Sequence, residues 1–289
     1  MGATCSNVLR HTRLFRHSRQ SEATNDTLTQ RSRGIWSAGD YDRIARGFRH
    51  EGVDFVDRLG LLSTDQVLDL ACGSGNLTIP AARSGASVIG LDLIPTLLEA
   101  AAEWAYREGL DISLDQGNAE NLPYEDGQFD VVMSMFGVMF AARPDSVVAE
   151  LERVTRRGGR VAIANWTPDG FVGQMLARHA AYAPPPPGVP SPLLWGDESV
   201  IHQRFPDDAW NVKARRRSLT FRYPYSAAGT AKLFRIAYGP TVRTFDALDS
   251  SRCELLAAEL LEHWANHRHP GKRITEVDAE YLEVVAIRR

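Results

Sequence analysis

The sequence predicts an α/β fold built on a mostly parallel sheet with helices on its faces. Three observations carry that prediction. Residues 67–92 read VLDLACGSGNLTIPAARSGASVIGLD: a branched apolar run, a glycine-rich break, a helical stretch, a second apolar run and an acid. An apolar run without alternation is how a strand buried on both faces of a parallel sheet reads. Further apolar runs and helical stretches then alternate as far as Trp166, the order from which parallel sheets are wound. Residues 281–287, YLEVVAI, close the chain with another strand.

The elements follow in order. Residues 36–48, WSAGDYDRIARGF, place Tyr41, Ile44, Ala45 and Phe48 at helical spacing, and a second helix is expected over 52–59. Tyr41 reads either as packing or as a lid residue over a ligand. Strand 67–71 runs into Cys72-Gly73-Ser74-Gly75, residues that let a backbone turn sharply and approach a ligand closely. Asn76 is placed to cap a helix from 77 to about 83, ended by Gly85 and Ala86. The next strand, 87–91, ends at Asp92, where the carboxylate meets ribose hydroxyls in nucleoside-binding units of this kind. Pro95 opens a helix through Tyr106, with Leu97, Leu98, Ala101 and Ala105 on one face. Strands are expected at 111–115, 129–135 and 160–166. A helix over 144–155 carries Val147, Val148, Leu151 and Val154.

A dinucleotide fingerprint would place a third glycine where Thr78 stands. The pattern D-x-A-C-G-x-G from Asp69 to Gly75 instead resembles motif I of the class I S-adenosylmethionine (SAM) methyltransferases. GNAENLPY at 117–124, FDVVMSM at 129–135 and LERVTRRGGR at 151–160 resemble later motifs of that family, in its order, over about 41–166. The resemblance implies a Rossmann-like, seven-stranded, mostly parallel sheet, with an antiparallel last strand over 280–288. It implies SAM as cofactor, contacted by Asp69, Ala71, Gly73, Gly75, Asp92, Leu93, Asn118, Ala119, Glu120, Met135 and Phe136, with Tyr41 over it. The family carries an acid where this chain has Asn118, meeting the adenine amino group; an amide oxygen still accepts one such bond. Overall the chain is most similar to bacterial small-molecule methyltransferases related to the ubiquinone and menaquinone C-methyltransferases. The implied activity is in-line transfer of a methyl group.

Between residues 168 and 277 the pattern changes. A proline-rich stretch, 184–192, separates helical segments, and 213–225 reads as a strand. This region is expected to be an insertion capping the substrate of a domain spanning 34–289. Trp166, Tyr182, Trp195 and Tyr238, with Phe140 from the strand-four end, are the candidate substrate-binding residues. His179 and His202 flank the expected cap and are the candidate catalytic bases. No metal-ligand spacing is visible, and the scattered Cys5, Cys72 and Cys253 form no redox or metal pattern.

Residues 1–33 carry six arginines against Glu22 and Asp26, net +4, leaving −7 for the remainder of a chain of net charge −3. Few apolar residues are available there to bury, so a disordered basic tail is expected. Met1-Gly2-Ala3-Thr4-Cys5-Ser6 also fits a myristoylation signal, and the arginines an organelle transit peptide. No apolar run reaches spanning length, and a cytoplasmic location is expected. The acidic folded part disfavours a polyanionic acceptor. A small, largely apolar acceptor, aromatic or polyketide-like, is therefore expected and no nucleic acid. An RNA or DNA methyltransferase and a SAM-binding protein without turnover are the competing readings.

Overall fold

A computed structural model describes the backbone of Arg13–Leu14 and residues 26–289 in full. Seven strands form one sheet: β1 (Gln66–Leu70), β2 (Ser87–Asp92), β3 (Ser113–Gln116), β4 (Phe129–Met135), β5 (Thr155–Trp166), β6 (Trp210–Tyr223) and β7 (Thr275–Arg288). Their order is β3-β2-β1-β4-β5-β7-β6, with Arg13–Leu14 adding parallel along the outer edge of β3. Strands β1 to β5 are mutually parallel. Strand β7 enters antiparallel between β5 and β6, so the Rossmann-like sheet with a reversed last strand is present.

The winding reverses beside β1. Strands β2 and β3 lie on one side of it, β4 and β5 on the other. Loops leaving β1 and β4 therefore diverge to opposite faces and open a crevice at their carboxyl ends, where α/β sheets bind ligands.

Helices α1 (Thr27–Trp36), α2 (Tyr41–Ala45), α3 (Arg49–Leu59), α4 (Thr78–Arg83), α5 (Pro95–Glu108) and α6 (Pro144–Val154) belong to this half. Their ends follow local chemistry. Proline opens α5 and α6, where its missing N–H costs nothing. Gly60 and Gly109 end α3 and α5 in the left-handed conformation. Asn76 does not cap α4; Leu77 takes that place. The Asn76 Nδ2 donates instead to the Ala45 carbonyl at 3.2 Å, tying the glycine loop to α2.

Two expected boundaries move. Most of the basic tail lies outside the described residues, but its end does not fit a disordered tail. Residues 27–33 are the first turns of α1, capped by Asp26, whose carboxylate accepts from the Leu28 and Thr29 N–H groups. Thr29 is buried, which a tail residue would not be. The acids and hydroxyls that make this stretch look tail-like are a helix cap and polar contacts to the core.

The second change concerns the region expected to cap the substrate. It holds α7 (Phe171–Tyr182), α8 (Glu198–Arg204), α9 (Ala227–Ala237), α10 (Gly239–Asp246) and α11 (Ser250–His267). It also supplies β6, which pairs with β7 from Trp210 opposite Arg288 to Tyr223 opposite Thr275 and so belongs to the sheet. Its Arg216, Arg217 and Arg222 pair with Glu280, Glu283 and Glu276 on β7, the cross-strand pairing that an exposed edge favours. Helices α7, α9, α10 and α11 pack together around Phe171, Phe234 and Trp264, with Phe221 of β6 beneath them. No described helix is long and apolar enough to cross a membrane.

Candidate cofactor and acceptor cleft

The crevice beside β1 is a cleft with about 1030 Å³ of empty space, its mouth included. Its floor is made by the two diverging loops. Ala71, just after β1, and Phe136, just after β4, both have left-handed backbones, φ 56° and 57°. They are the described non-glycine residues with positive φ, a conformation that costs about 1–3 kcal/mol and gathers at functional sites. Gly73 and Gly75 are left-handed as well, at 54° and 93°, so the loop turns tightly above the β1 end.

Asp92 locks that loop. Its Oδ2 accepts from the Gly73 N–H and its Oδ1 from the Ile94 N–H, each at 2.8 Å. Burial pushes its carboxyl up to about 6, although these backbone donors pull it down. Deeper in β1, Asp69 accepts from the Thr78 hydroxyl at 2.6 Å. Burial, with a smaller contribution from the Asp92 charge, pushes Asp69 up to about 7. Burial also pushes the Tyr41 hydroxyl and the Cys72 thiol well above their ordinary values, so both stay protonated. The Ser74 Oγ and Asn76 Oδ1 are buried without a partner among the described residues, and both residues line the cleft. Polar atoms left in that state need a ligand or water to complete them.

On the β3 side the wall is polar. Asn118 Oδ1 accepts from the Glu120 N–H at 3.0 Å, while its Nδ2 donates to Thr29 Oγ1 at 3.1 Å. On the β4 side the wall is apolar: Trp36, Met135, Phe136, Val138, Phe140 and Ala141. The Trp36 ring meets Tyr41 and Phe140 edge to face, with centroids 5.4 and 4.9 Å away.

Of the expected cofactor residues, Tyr41, Asp69, Ala71, Gly73, Asp92, Leu93, Asn118, Ala119, Glu120, Met135 and Phe136 all line this cleft. Gly75 stands behind the loop, where a side-chain carbon would meet Ile79 at 3.2 Å. Of the expected substrate residues, Phe140 lines it. The other four fill packing roles. Trp166 stacks face to face on Phe136 at 3.5 Å. Trp195 is buried, with the Arg204 guanidinium over its ring at 4.2 Å. Tyr238 is buried against Phe234 and Trp36, and the Tyr182 hydroxyl donates to Glu259 on α11.

Neither expected base reaches the cleft. His179 is buried in the helical layer against Thr241, and burial pushes its imidazole down to about 4. His202 is exposed in the last turn of α8. Neither lies where it could meet an acceptor held in this cleft. Conversely, Thr29, Ser32 and Trp36 of α1 line the cleft, though sequence reasoning placed two of them in a tail. Their spacing of three and four residues is that of one helix face and was the available signal.

A family model described as "Methyltransferase domain" matches residues 68–163, which run from β1 into β5. The Mycobacterium tuberculosis protein Rv1403c, called uncharacterized, is 40% identical over 234 residues, 80% of this chain and 85% of that one. A Lactobacillus johnsonii demethylmenaquinone methyltransferase is 38% identical over 114 residues, 38% of this chain and 47% of that one. Among solved structures, the YcgJ protein of Bacillus subtilis superposes with TM-score 0.57 at 17% identity, over 83% of this chain and 99% of that one. The sheet order and glycine loop thus agree with independent matches of sequence and fold: this chain belongs to the class I SAM-dependent methyltransferases, with SAM as its cofactor.

Proposed function

We propose that this chain transfers a methyl group from SAM to a small, largely apolar acceptor, aromatic or polyketide-like, seated against the β4 side of the cleft. The observation that carries the reading is the apolar wall of Trp36, Met135, Val138, Phe140 and Ala141, which lies across the cleft from the carboxylates that would hold the methyl donor. Aromatic faces and an adaptable methionine suit a flat apolar ligand. The similarity to a demethylmenaquinone methyltransferase supports a ring-shaped acceptor.

The residues fit the cofactor. Asp92 keeps a free lone pair on each oxygen for ribose hydroxyls. Gly73 and the unpartnered Ser74 Oγ would hold the methionine end, and Leu93 with the loop from Asn118 to Glu120, all lining the cleft, would hold the adenine. Bound SAM supplies a methyl group on a sulfonium. With it bound, the acceptor's electron pair would make the new bond to the methyl carbon, the electrons of the broken carbon–sulfur bond would stay on the departing sulfur, and a proton lost by the acceptor would go to water. The protein's part is alignment and exclusion of water. Phe136 and Phe140 set the acceptor's approach, and Trp36 with Tyr41 closes the cleft over it.

The test uses SAM with an isotopically labelled methyl group, incubated separately with a metabolite extract, tRNA and DNA. Label in an extractable small molecule is the expected result. Label in tRNA or DNA would overturn the reading.

A further inference from the structure

Arg143 lies outside the cleft, at the start of α6, yet its contacts converge on residues that close one side of it. Its N–H donates to Glu120 Oε1 at 2.9 Å and its Nη1 to Glu120 Oε2 at 2.7 Å, occupying both oxygens of a carboxylate that lines the cleft. Its Nη2 pairs with Asp26 Oδ1 at 3.0 Å. Asp26 caps α1 and accepts from the Thr29 hydroxyl at 3.1 Å. Thr29 Oγ1 in turn accepts from the Asn118 amide. The loop carrying Asn118 and Glu120 therefore holds the first turn of α1 twice, once directly and once through Arg143.

The two ends of α1 are fastened differently. At its C-terminal end, a side-chain carbon on Gly239 would lie 2.2 Å from the Ile35 carbonyl oxygen, so backbones touch. Arg243 donates to the Gly34 carbonyl through Nε and Nη2, at 3.1 and 3.0 Å. Trp36 packs among Tyr41, Phe140 and Tyr238. At the N-terminal end the contacts are polar, and the ion pair joins side chains 40% and 31% exposed. Exposed pairs are individually weak and screened by salt, so this end is the more weakly held.

We propose that Arg143 is a positioning residue for the cofactor: by fastening the first turn of α1 to the loop bearing Asn118 and Glu120, it keeps Thr29 and Ser32 over the cleft and slows cofactor release. The arrangement also accounts for the amide at position 118. The Thr29 hydrogen is already given to Asp26, so its oxygen needs a donor. A carboxylate at 118 has none to offer.

The test uses the full chain and SAM alone, so no acceptor is needed. Dissociation is followed by tryptophan fluorescence, and trypsin cleavage after Arg31 and Arg33 by mass spectrometry. In Arg143→Gln, SAM dissociation should quicken severalfold, the size expected for loss of exposed charge pairs. Cleavage at both arginines should persist at saturating SAM while SAM protects the wild type. Arg143→Lys, which can hold one of the two acids, should fall between. A folded Arg143→Gln with an unchanged dissociation rate would overturn the proposal. Should that variant fail to fold, Asp26→Asn keeps the helix cap and removes the charge. It must show the same change to a smaller degree, and an unchanged rate there is equally decisive against it.

Discussion

Gly137 lies so close to Ala71 that a side-chain carbon on it would sit 2.6 Å from the Ala71 Cβ and 2.8 Å from its carbonyl oxygen. The loops leaving β1 and β4 touch at this point, where Ala71 is itself left-handed and Gly137 follows the left-handed Phe136. Gly137→Ala must push them apart. The cost is expected to be about 1–3 kcal/mol of stability, as for other overpacked sites, with at least tenfold weaker SAM binding. Urea unfolding and calorimetry check both. A variant matching the wild type in each would show that this contact does not shape the floor.

Asp92 braces the glycine loop as well as facing the ligand, so Asp92→Ala loses both roles. SAM affinity should fall by tenfold or more, from charge-assisted bonds worth about 1.5–3 kcal/mol each. A pH dependence follows from burial. In the empty protein Asp92 is pushed up to about 6 and Asp69 up to about 7, above the unfolded value of about 3.9. Their contribution to stability is complete below that unfolded value and is lost as pH rises through 6 to 7. Binding of a cationic sulfonium favours the ionised carboxylates. SAM affinity should therefore rise between about pH 5.5 and 7.5, with protons released on binding. Calorimetry in buffers of differing ionisation enthalpy measures this, and an affinity flat across that range would refute it.

Trp36 and Trp195 separate site from core. Trp36 is half-buried and lines the cleft, whereas Trp195 is 1% exposed and does not. Trp36→Ala should lower methyl transfer by a factor of about ten or more while the fold persists, through lost alignment. Trp195→Ala should cost about 3–5 kcal/mol of stability, with turnover per folded molecule retained. The reverse pattern would move the acceptor to the neighbourhood of Trp195.

A chain starting at Gly34 lacks the first turns of α1, and with them Thr29, Ser32 and the Asp26 cap. It should bind SAM more weakly and melt several degrees lower, roughly the effect of 1 kcal/mol or more in a domain of this size. Equal melting temperature and affinity would show that α1 contributes nothing to the cleft.

The cofactor half was legible because its signals are local. A branched run, a glycine break, a proline-opened helix and an acid at a strand end each act on neighbouring backbone, so residues 67–166 yielded β1 to β5, and most of the residues expected to meet the cofactor line one cleft, without knowledge of distant partners. The amide at Asn118 was legible as a departure, but its reason, a bond to Thr29 across 89 residues, was not. Nor was the sorting of the aromatics. Trp36, Trp166 and Trp195 read alike in one dimension; the first faces the cleft, the second stacks on Phe136 and the third lies under Arg204. Likewise 213–225 read as a strand but gave no sign of its partner, because β6 pairs with a segment that follows three intervening helices. Burial and pairing of this kind are set by the free energy of the whole packed core, which assigns each apolar face its neighbour only when all the elements are present.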